Sequence, residues 1–364
     1  MDVKDIRIAL HQIPELGRRE YKTKEYILNI AKNLNCKIYE PTETSIVLYF
    51  NLNLDTTLCF RSDMDALPIL EATNLPFKSK NNGIMHACGH DGHMAMLLGF
   101  AKWASFNLNL LKHNIVCLFQ PSEEDDCGAN DIIKSNILDD LKIDAIFGFH
   151  IWPLLEEGKL YSMPNGMLAS SGEVTIDISG EQFHAANRKE NDDAILRSFK
   201  LINDFYKFSS TVSSPHLINF GKMNAGSARN IVPGNSHIEA TLRAFDDETF
   251  KLLSSTLIRM SKELEDSKYK INTNINWSYP SVLNDSNLFY YYKPFLNLNE
   301  LSKPLLQAED FGCYTRKYKS LFMLLGCGNT NLLHTDKFDF NMDILQIGVD
   351  TYKKLSLIDF INNK

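Results

Sequence analysis

The sequence predicts an α/β protein: a mostly parallel sheet flanked by helices, with a smaller α+β domain inserted into it. Three observations predict this. Short apolar runs rich in β-branched residues alternate with helical stretches along the N-terminal part of the chain. Acidic residues and a histidine stand where those runs end. Near Ser170 the pattern changes to the apolar/polar alternation of an antiparallel sheet with one exposed face.

Ile6 to Leu34 has helical periodicity, and Ile13-Pro14-Glu15-Leu16-Gly17 interrupts it as a turn between two helices. Ser45 to Phe50 and Thr57 to Phe60 read as buried strands, the second running directly into Arg61-Ser62-Asp63-Met64-Asp65. Met94 to Phe106 is an apolar helical run. Asn114 to Phe119 reads as a strand that ends in Gln120-Pro121-Ser122-Glu123-Glu124, and Ile143 to Phe149 as one followed at once by His150. In such sheets, ligands bind outside the carboxyl ends of the strands. Asp63, Asp65, Glu123, Glu124 and His150 all fall there.

In the insert, Val174, Ile176 and Ile178 share one face of a strand from Gly172 to Ser179. A helix is expected from about Asp192 to Lys207, strands around Leu217 to Lys222 and His237 to Phe245, a helix over Asp247 to Ser267 and a strand over Tyr269 to Tyr279. Strand-helix-strand-strand-helix-strand is a ferredoxin-like order. The expected division is therefore 1–171 with 280–364 for the main domain, and 172–279 for the insert.

At 364 residues the chain is long enough for about two domains, and 44% hydrophobic with 23% charged residues is ordinary for a globular protein. A net charge of −7, without a long Lys/Arg block, argues against a nucleic-acid partner. Met1-Asp2-Val3-Lys4-Asp5 lacks the apolar core of a signal peptide, and no run is long enough to span a membrane. Seven cysteines without paired spacing fit reduced thiols in a cytoplasm better than a disulfide framework.

Met85-His86-Ala87-Cys88-Gly89-His90-Asp91-Gly92-His93 packs three imidazoles, a thiol and a carboxylate around a glycine. Cys88, His90 and one more group face a common point if the chain turns sharply at Gly89. Thiolate and imidazole suit zinc-like metals, and added carboxylates shift the preference towards manganese or cobalt. Glu123-Glu124 would ordinarily be exposed acids, and His150 a satisfied core histidine. Their common position at strand ends of one sheet favours a site instead. One glutamate can ligate while its neighbour serves a water as general base. The Asp63/Asp65 pair can orient a ligand imidazole. His334, after Leu332-Leu333, is placed to complete the set from a distant part of the chain.

Five stretches occur in order: Asp63-Met64-Asp65-Ala66-Leu67-Pro68, Met85 to Asp91, Gln120 to Glu124, Gly148-Phe149-His150 and Leu333-His334-Thr335. Together they resemble the co-catalytic metallo-amidohydrolases and peptidases of the aminoacylase/carboxypeptidase superfamily. The branch is that of hippurate hydrolase, indole-acetyl-amino-acid hydrolase and N-acetyldiaminopimelate deacetylase. The resemblance runs from Leu10-His11-Gln12-Ile13-Pro14-Glu15-Leu16 to Phe340-Asn341. It implies a zinc-peptidase-like main domain with two divalent metal ions per chain (Zn, Mn, Co or Ni). Cys88 would bridge them, with His90, Glu124, His150 and His334 as the other ligands. Glu123 would be the general base, supported by an aspartate of the Asp63/Asp65 pair, with Asp65 favoured for the orienting role.

The resemblance also makes the insert a lid and dimerisation domain, hence an expected homodimer. In Phe183-His184-Ala185-Ala186 it gives His184 to the tetrahedral oxyanion. Asn230 in Arg229-Asn230-Ile231 and Arg243 in Leu242-Arg243-Ala244 would meet the substrate carboxylate or carbonyl. Glu309-Asp310-Phe311 matches another recurrent stretch. Three departures bear on substrate preference: Gln182-Phe183 replaces paired glycines, Asn187 replaces a proline, and Asp125-Asp126-Cys127 replaces a glycine-rich stretch. The expected activity is hydrolysis of an N-acyl amino acid, with N-acetyldiaminopimelate deacetylation in lysine biosynthesis preferred. Hippurate-type hydrolysis, a dipeptidase and a catalytically silent binding protein are the alternatives.

Overall fold

Strand and helix alternation produces an eight-stranded mixed sheet and, separately, a four-stranded antiparallel one. The computed structural model describes residues 2–125, 127–190 and 192–360. Asp126, one of the added acids, lies outside the described residues. Two units result: one of residues up to Asn165, Leu283–Lys303 and from Cys313 onward, the other of Gly166–Val282 and Pro304–Gly312. The boundaries thus differ from the expected 171/172 and 279/280. The cause is local pairing: Ser170 Oγ donates to the Ala244 carbonyl at 2.9 Å, and Ala169 N–H donates to that of Leu305 at 3.1 Å.

In the first unit the strand order is Lys37–Tyr39, Ile46–Phe50, Asn114–Gln120, Thr57–Asp63, Ala145–Trp152, Lys319–Gly326, Leu160–Ser162, Asn299–Glu300. The central four are parallel, so their carboxyl ends lie along one edge. Asp63 pairs with Gln120, and Arg61 with Gly148. Two residues beyond the second pair come Asp63 and His150, which levels them.

Two expectations shift here. His150 lies inside the Ala145–Trp152 strand, because pairing with Lys319–Gly326 extends the strand past Phe149. The helix expected from Met94 begins at His90 and runs to Phe106. Gly89 is its N-cap at φ 86°, a left-handed conformation that glycine adopts without penalty. His93 N–H donates to the Gly89 carbonyl at 3.1 Å, so the metal-type residues form the first turn. That helix is buried almost all round, as a helix apolar on every side must be. Leu97, Leu98 and Phe100 on it are fully buried, each stabilising the fold by about 1.5–3 kcal/mol.

The second unit orders its strands His216–Ala225, Asn235–Ala244, Ser171–Gly180, Tyr269–Tyr279, all antiparallel. That is the ferredoxin-like sequence of neighbours. The Ala194–Ser209 and Asp247–Glu263 helices cover one face, where Val174, Ile176 and Ile178 join Leu201, Phe205, Leu253 and Leu257 in a core. Asp193 and Asp246 cap these helices, accepting from the N–H of Leu196 (2.9 Å) and Thr249 (2.7 Å). Among the described residues, no helix is long and apolar enough to cross a membrane, and no disulfide joins any cysteine.

Candidate metal centre

Two imidazoles of the first unit's cluster, His90 and His150, are aimed by a bond from Nδ1 to a main-chain carbonyl. His90 Nδ1 lies 2.8 Å from the Asp65 main-chain carbonyl, and His150 Nδ1 lies 2.7 Å from that of Ile151. A carbonyl only accepts, so both Nδ1 atoms carry a proton and both Nε2 atoms are turned towards the cluster. His150 Nε2 faces Cys88 Sγ at 3.3 Å, and His334 Nε2 faces the same sulfur at 3.2 Å. His334 sits at φ 62°, its N–H donating to the Ala87 carbonyl at 2.9 Å, which ties it to the Cys88 turn.

Donor atoms of Cys88, His90 and His150 lie within 4.8 Å of one another, as do those of Cys88, Glu124 and His334. Cys88 is common to both groups, as a thiolate shared by two cations would be. His90, Glu123 and Glu124 form a third such group. His90 Nε2 and Glu124 Oε1 are buried and make no hydrogen bond, although His334 Nε2 lies 3.1 Å from that oxygen. Buried polar atoms without partners are uncommon, and a cation satisfies both at once. The donor set of sulfur, imidazole nitrogen and carboxylate oxygen fits divalent zinc and its neighbours.

Asp65 does more than was read from its position. Its Oδ1 accepts from the Glu123 N–H at 3.0 Å and its Oδ2 from the Glu124 N–H at 2.9 Å. The His90 ring meets Asp65 twice, Nδ1 lying 2.8 Å from the main-chain carbonyl and 3.5 Å from Oδ1 of the carboxylate. Asp63 meets a histidine whose role is not legible from its position in the chain: His93 Nδ1 lies 2.6 Å from its Oδ1, while Arg61 Nη1 donates to its Oδ2 at 2.8 Å. His93 Nε2 then accepts from the Ile151 N–H at 2.9 Å, bracing the strand end beside His150. The His90 to His93 spacing places both on one helix face once the helix begins at His90.

The charges conflict without a cation. Burial, then Glu124 and Glu123, push the Cys88 thiol up. Burial works against a charged His90, but Asp63, Asp65 and Glu124 outweigh it and lift the imidazole to about 10. Burial, followed by His93, holds His150 low. Several carboxylates and a thiol gathered out of water are stable when they coordinate a metal.

The remaining candidates belong to the second unit. His184 pairs with Ile231 in a two-stranded ladder, and the Asn230 carbonyl accepts from the Ala185 N–H at 2.8 Å, so His184 and Asn230 are neighbours. Both are exposed. His184 Nδ1 accepts from the Ala186 N–H at 3.1 Å, which leaves the proton on Nε2. Arg243 lies on the Asn235–Ala244 strand and donates to the Leu306 carbonyl at 3.1 Å. Gln182, in place of a glycine, bonds Asn235 and Ser227.

A model of the peptidase family M20/M25/M40 matches residues 59–357. The chain belongs to that family. Relatives from Staphylococcus epidermidis and Staphylococcus aureus, both called uncharacterized hydrolases, are 32% and 30% identical over 96% of this chain and 96% of theirs. A crystal structure from methicillin-resistant Staphylococcus aureus superposes with a TM-score of 0.91 at 27% identity, covering 98% of this chain and 95% of that one. The Bacillus subtilis YXEP protein, described as a dinuclear metal binding peptidase of the M20 family, superposes with a TM-score of 0.84 at 26% identity, covering 98% and 96%. The resemblance read from the motifs is therefore correct, and the chain has the M20 fold. It is an M20 hydrolase that carries candidate metal-ligand clusters.

Proposed function

We propose that this M20 chain hydrolyses the amide bond of N-acyl amino acids, using two divalent metal ions held by Cys88, His90, Glu124, His150 and His334. The observation that carries the reading is Cys88 Sγ at 3.3 and 3.2 Å from Nε2 of His150 and His334, beside the unpartnered His90 Nε2 and Glu124 Oε1. When bound, such cations polarise a carbonyl and lower the pKa of water to about 7. Glu123, only 7% exposed, takes a proton from the attacking water. It then gives that proton to the departing nitrogen as the carbon–nitrogen bond breaks. Asp65 keeps both glutamates in place through their amides. His184 is assigned to the developing oxyanion, and Asn230 and Arg243 to the substrate carboxylate or carbonyl.

A dipeptidase is the second reading, favoured by the Bacillus subtilis neighbour's description as a peptidase. We place self-association on the second unit. There Ile195, Phe199 and Tyr206 line one side of a helix while 40%, 66% and 42% exposed.

One preparation tests all of this. Protein of measured metal content and sedimentation mass is given N-acetyl and N-benzoyl amino acids, N-acetyldiaminopimelate and dipeptides. Turnover of acyl amino acids by a dimer with two metals per chain is expected. Turnover of dipeptides alone would select the second reading. Inertness on all of them, with metals bound, would leave a binding protein, and a monomer would remove the dimer.

A further inference from the structure

Three successive amides beneath the glutamate pair are held by two carboxylates. Asp65 takes those of Glu123 and Glu124. Glu20 Oε1 takes that of Ser122, at 2.9 Å across 102 residues of sequence. Glu20 is the N-cap residue of the Tyr21–Ala31 helix, yet its side chain makes no capping bond there. It turns away from its own helix and is fully buried, with Oε2 making no hydrogen bond. A buried carboxylate that forgoes its cap is costly unless its partner needs it.

Ser122 needs it. Its φ of 56° is left-handed, a conformation that costs a residue with a side chain about 1 kcal/mol or more. Gly17 closes on the turn from the same segment as Glu20. A Cβ at Gly17 would lie 2.9 Å from Ser122 Oγ and 2.7 Å from Asp125 Oδ2. Release of the Ser122 N–H would let φ relax and swing the next peptide, which carries Glu123.

We propose that Glu20 is a positioning residue for the Glu123–Glu124 pair, fixing the aim of both side chains through the Ser122 amide. This rests on the roles proposed for those two glutamates. Burial, then the charge of Asp65, push the Glu20 carboxyl up to about 7, so a neutral amide that keeps the acceptor oxygen is a close substitute.

The test compares Glu20→Ala, Glu20→Gln and Glu20→Asp in the full chain. It measures metal affinity by competition with a chelator, and kcat and KM separately. Glu20→Ala should weaken metal affinity or lower kcat by about 10–100-fold with KM nearly unchanged, while Glu20→Gln stays within about threefold of wild type. Should the alanine variant not fold, Glu20→Asp keeps the charge but loses the reach, and should show the same defect. Wild-type kcat and metal affinity in Glu20→Ala would overturn the proposal, and so would a glutamine variant as impaired as the aspartate one. A wild-type protein that binds metal but hydrolyses no amide would instead sink the proposed reaction, and the metal affinities would still decide the role of Glu20.

Discussion

The metal-type cluster of the first unit and the His184–Asn230 stretch of the second place candidate side chains in opposite ways. In the first, His90 and His150 are buried, each fixed by a bond from Nδ1 to a backbone carbonyl. In the second, His184 and Asn230 are exposed and tied only to their own short ladder. A buried donor fixed in this way is organised before any ligand arrives, so removing it should be close to all-or-none. An exposed one contributes only what it adds to a reaction already under way.

The largest effect should come from the cluster, in two variants that separate holding metal from moving a proton. Cys88→Ala removes the atom common to both ligand groups. It should lose bound metal and lower kcat/KM by about 10³-fold or more. Glu123→Ala should lose turnover to a similar extent yet keep its metal. Elemental analysis beside steady-state kinetics checks both. Metal loss in Glu123→Ala would show that Glu123 and Glu124 exchange roles.

A smaller effect, on stability, separates the buried network behind the cluster from exposed pairs of the same kind. His11 Nδ1 lies 2.8 Å from Asp91 Oδ2, to which Arg7 Nε also donates at 3.0 Å. Burial disfavours a charged His11, but Asp91 and Glu71 outweigh it and raise the imidazole from 6.5 to about 9. A histidine raised in this sense stabilises the fold fully below pH 6.5 and loses that contribution as pH climbs through about 9. At most about 3 kcal/mol is involved, at ~1.4 kcal/mol per pH unit over that window. Unfolding free energies of wild type and His11→Gln should therefore differ most near pH 6 and converge above pH 9. A gap independent of pH would show that His11 is not charged in the fold. His237, paired with Asp177 and Glu239 but exposed, has no comparable burial to make its pair matter.

The same contrast explains what was legible in the sequence. Asp63, Glu123 and His150 could be found because each sits at or near the end of an apolar strand, and parallel strands bring their ends to one edge. The fold class and the order of the insert followed from periodicity. The helix start at His90 was missed because its N-cap is Gly89, without the Ser, Thr or Asp that marks a start. His150 inside its strand depended on pairing with a strand far along the chain. Glu20 was invisible for a similar reason: in sequence it is an acid before a helix, and only packing against Ser122 gives it another use. His93 was in view from the outset, but its bond to Asp63 follows only from the true helix start.

The smallest effect should come from the exposed region. Because Ala186 donates to Nδ1, His184 keeps its proton on Nε2, ready to donate. If that donor meets the oxyanion, His184→Ala should lower kcat by about 10–100-fold with little change in KM, less than the roughly 10²–10³-fold that loss of a preorganised oxyanion donor costs, because His184 is exposed. Metal content and thermal stability should be unaltered, since the ring fills no core. His184→Gln, which can also donate, should recover part of the loss. Wild-type kcat in the alanine variant would take His184 out of the reaction, and loss of metal would show the two regions to be coupled in a way their burial does not suggest.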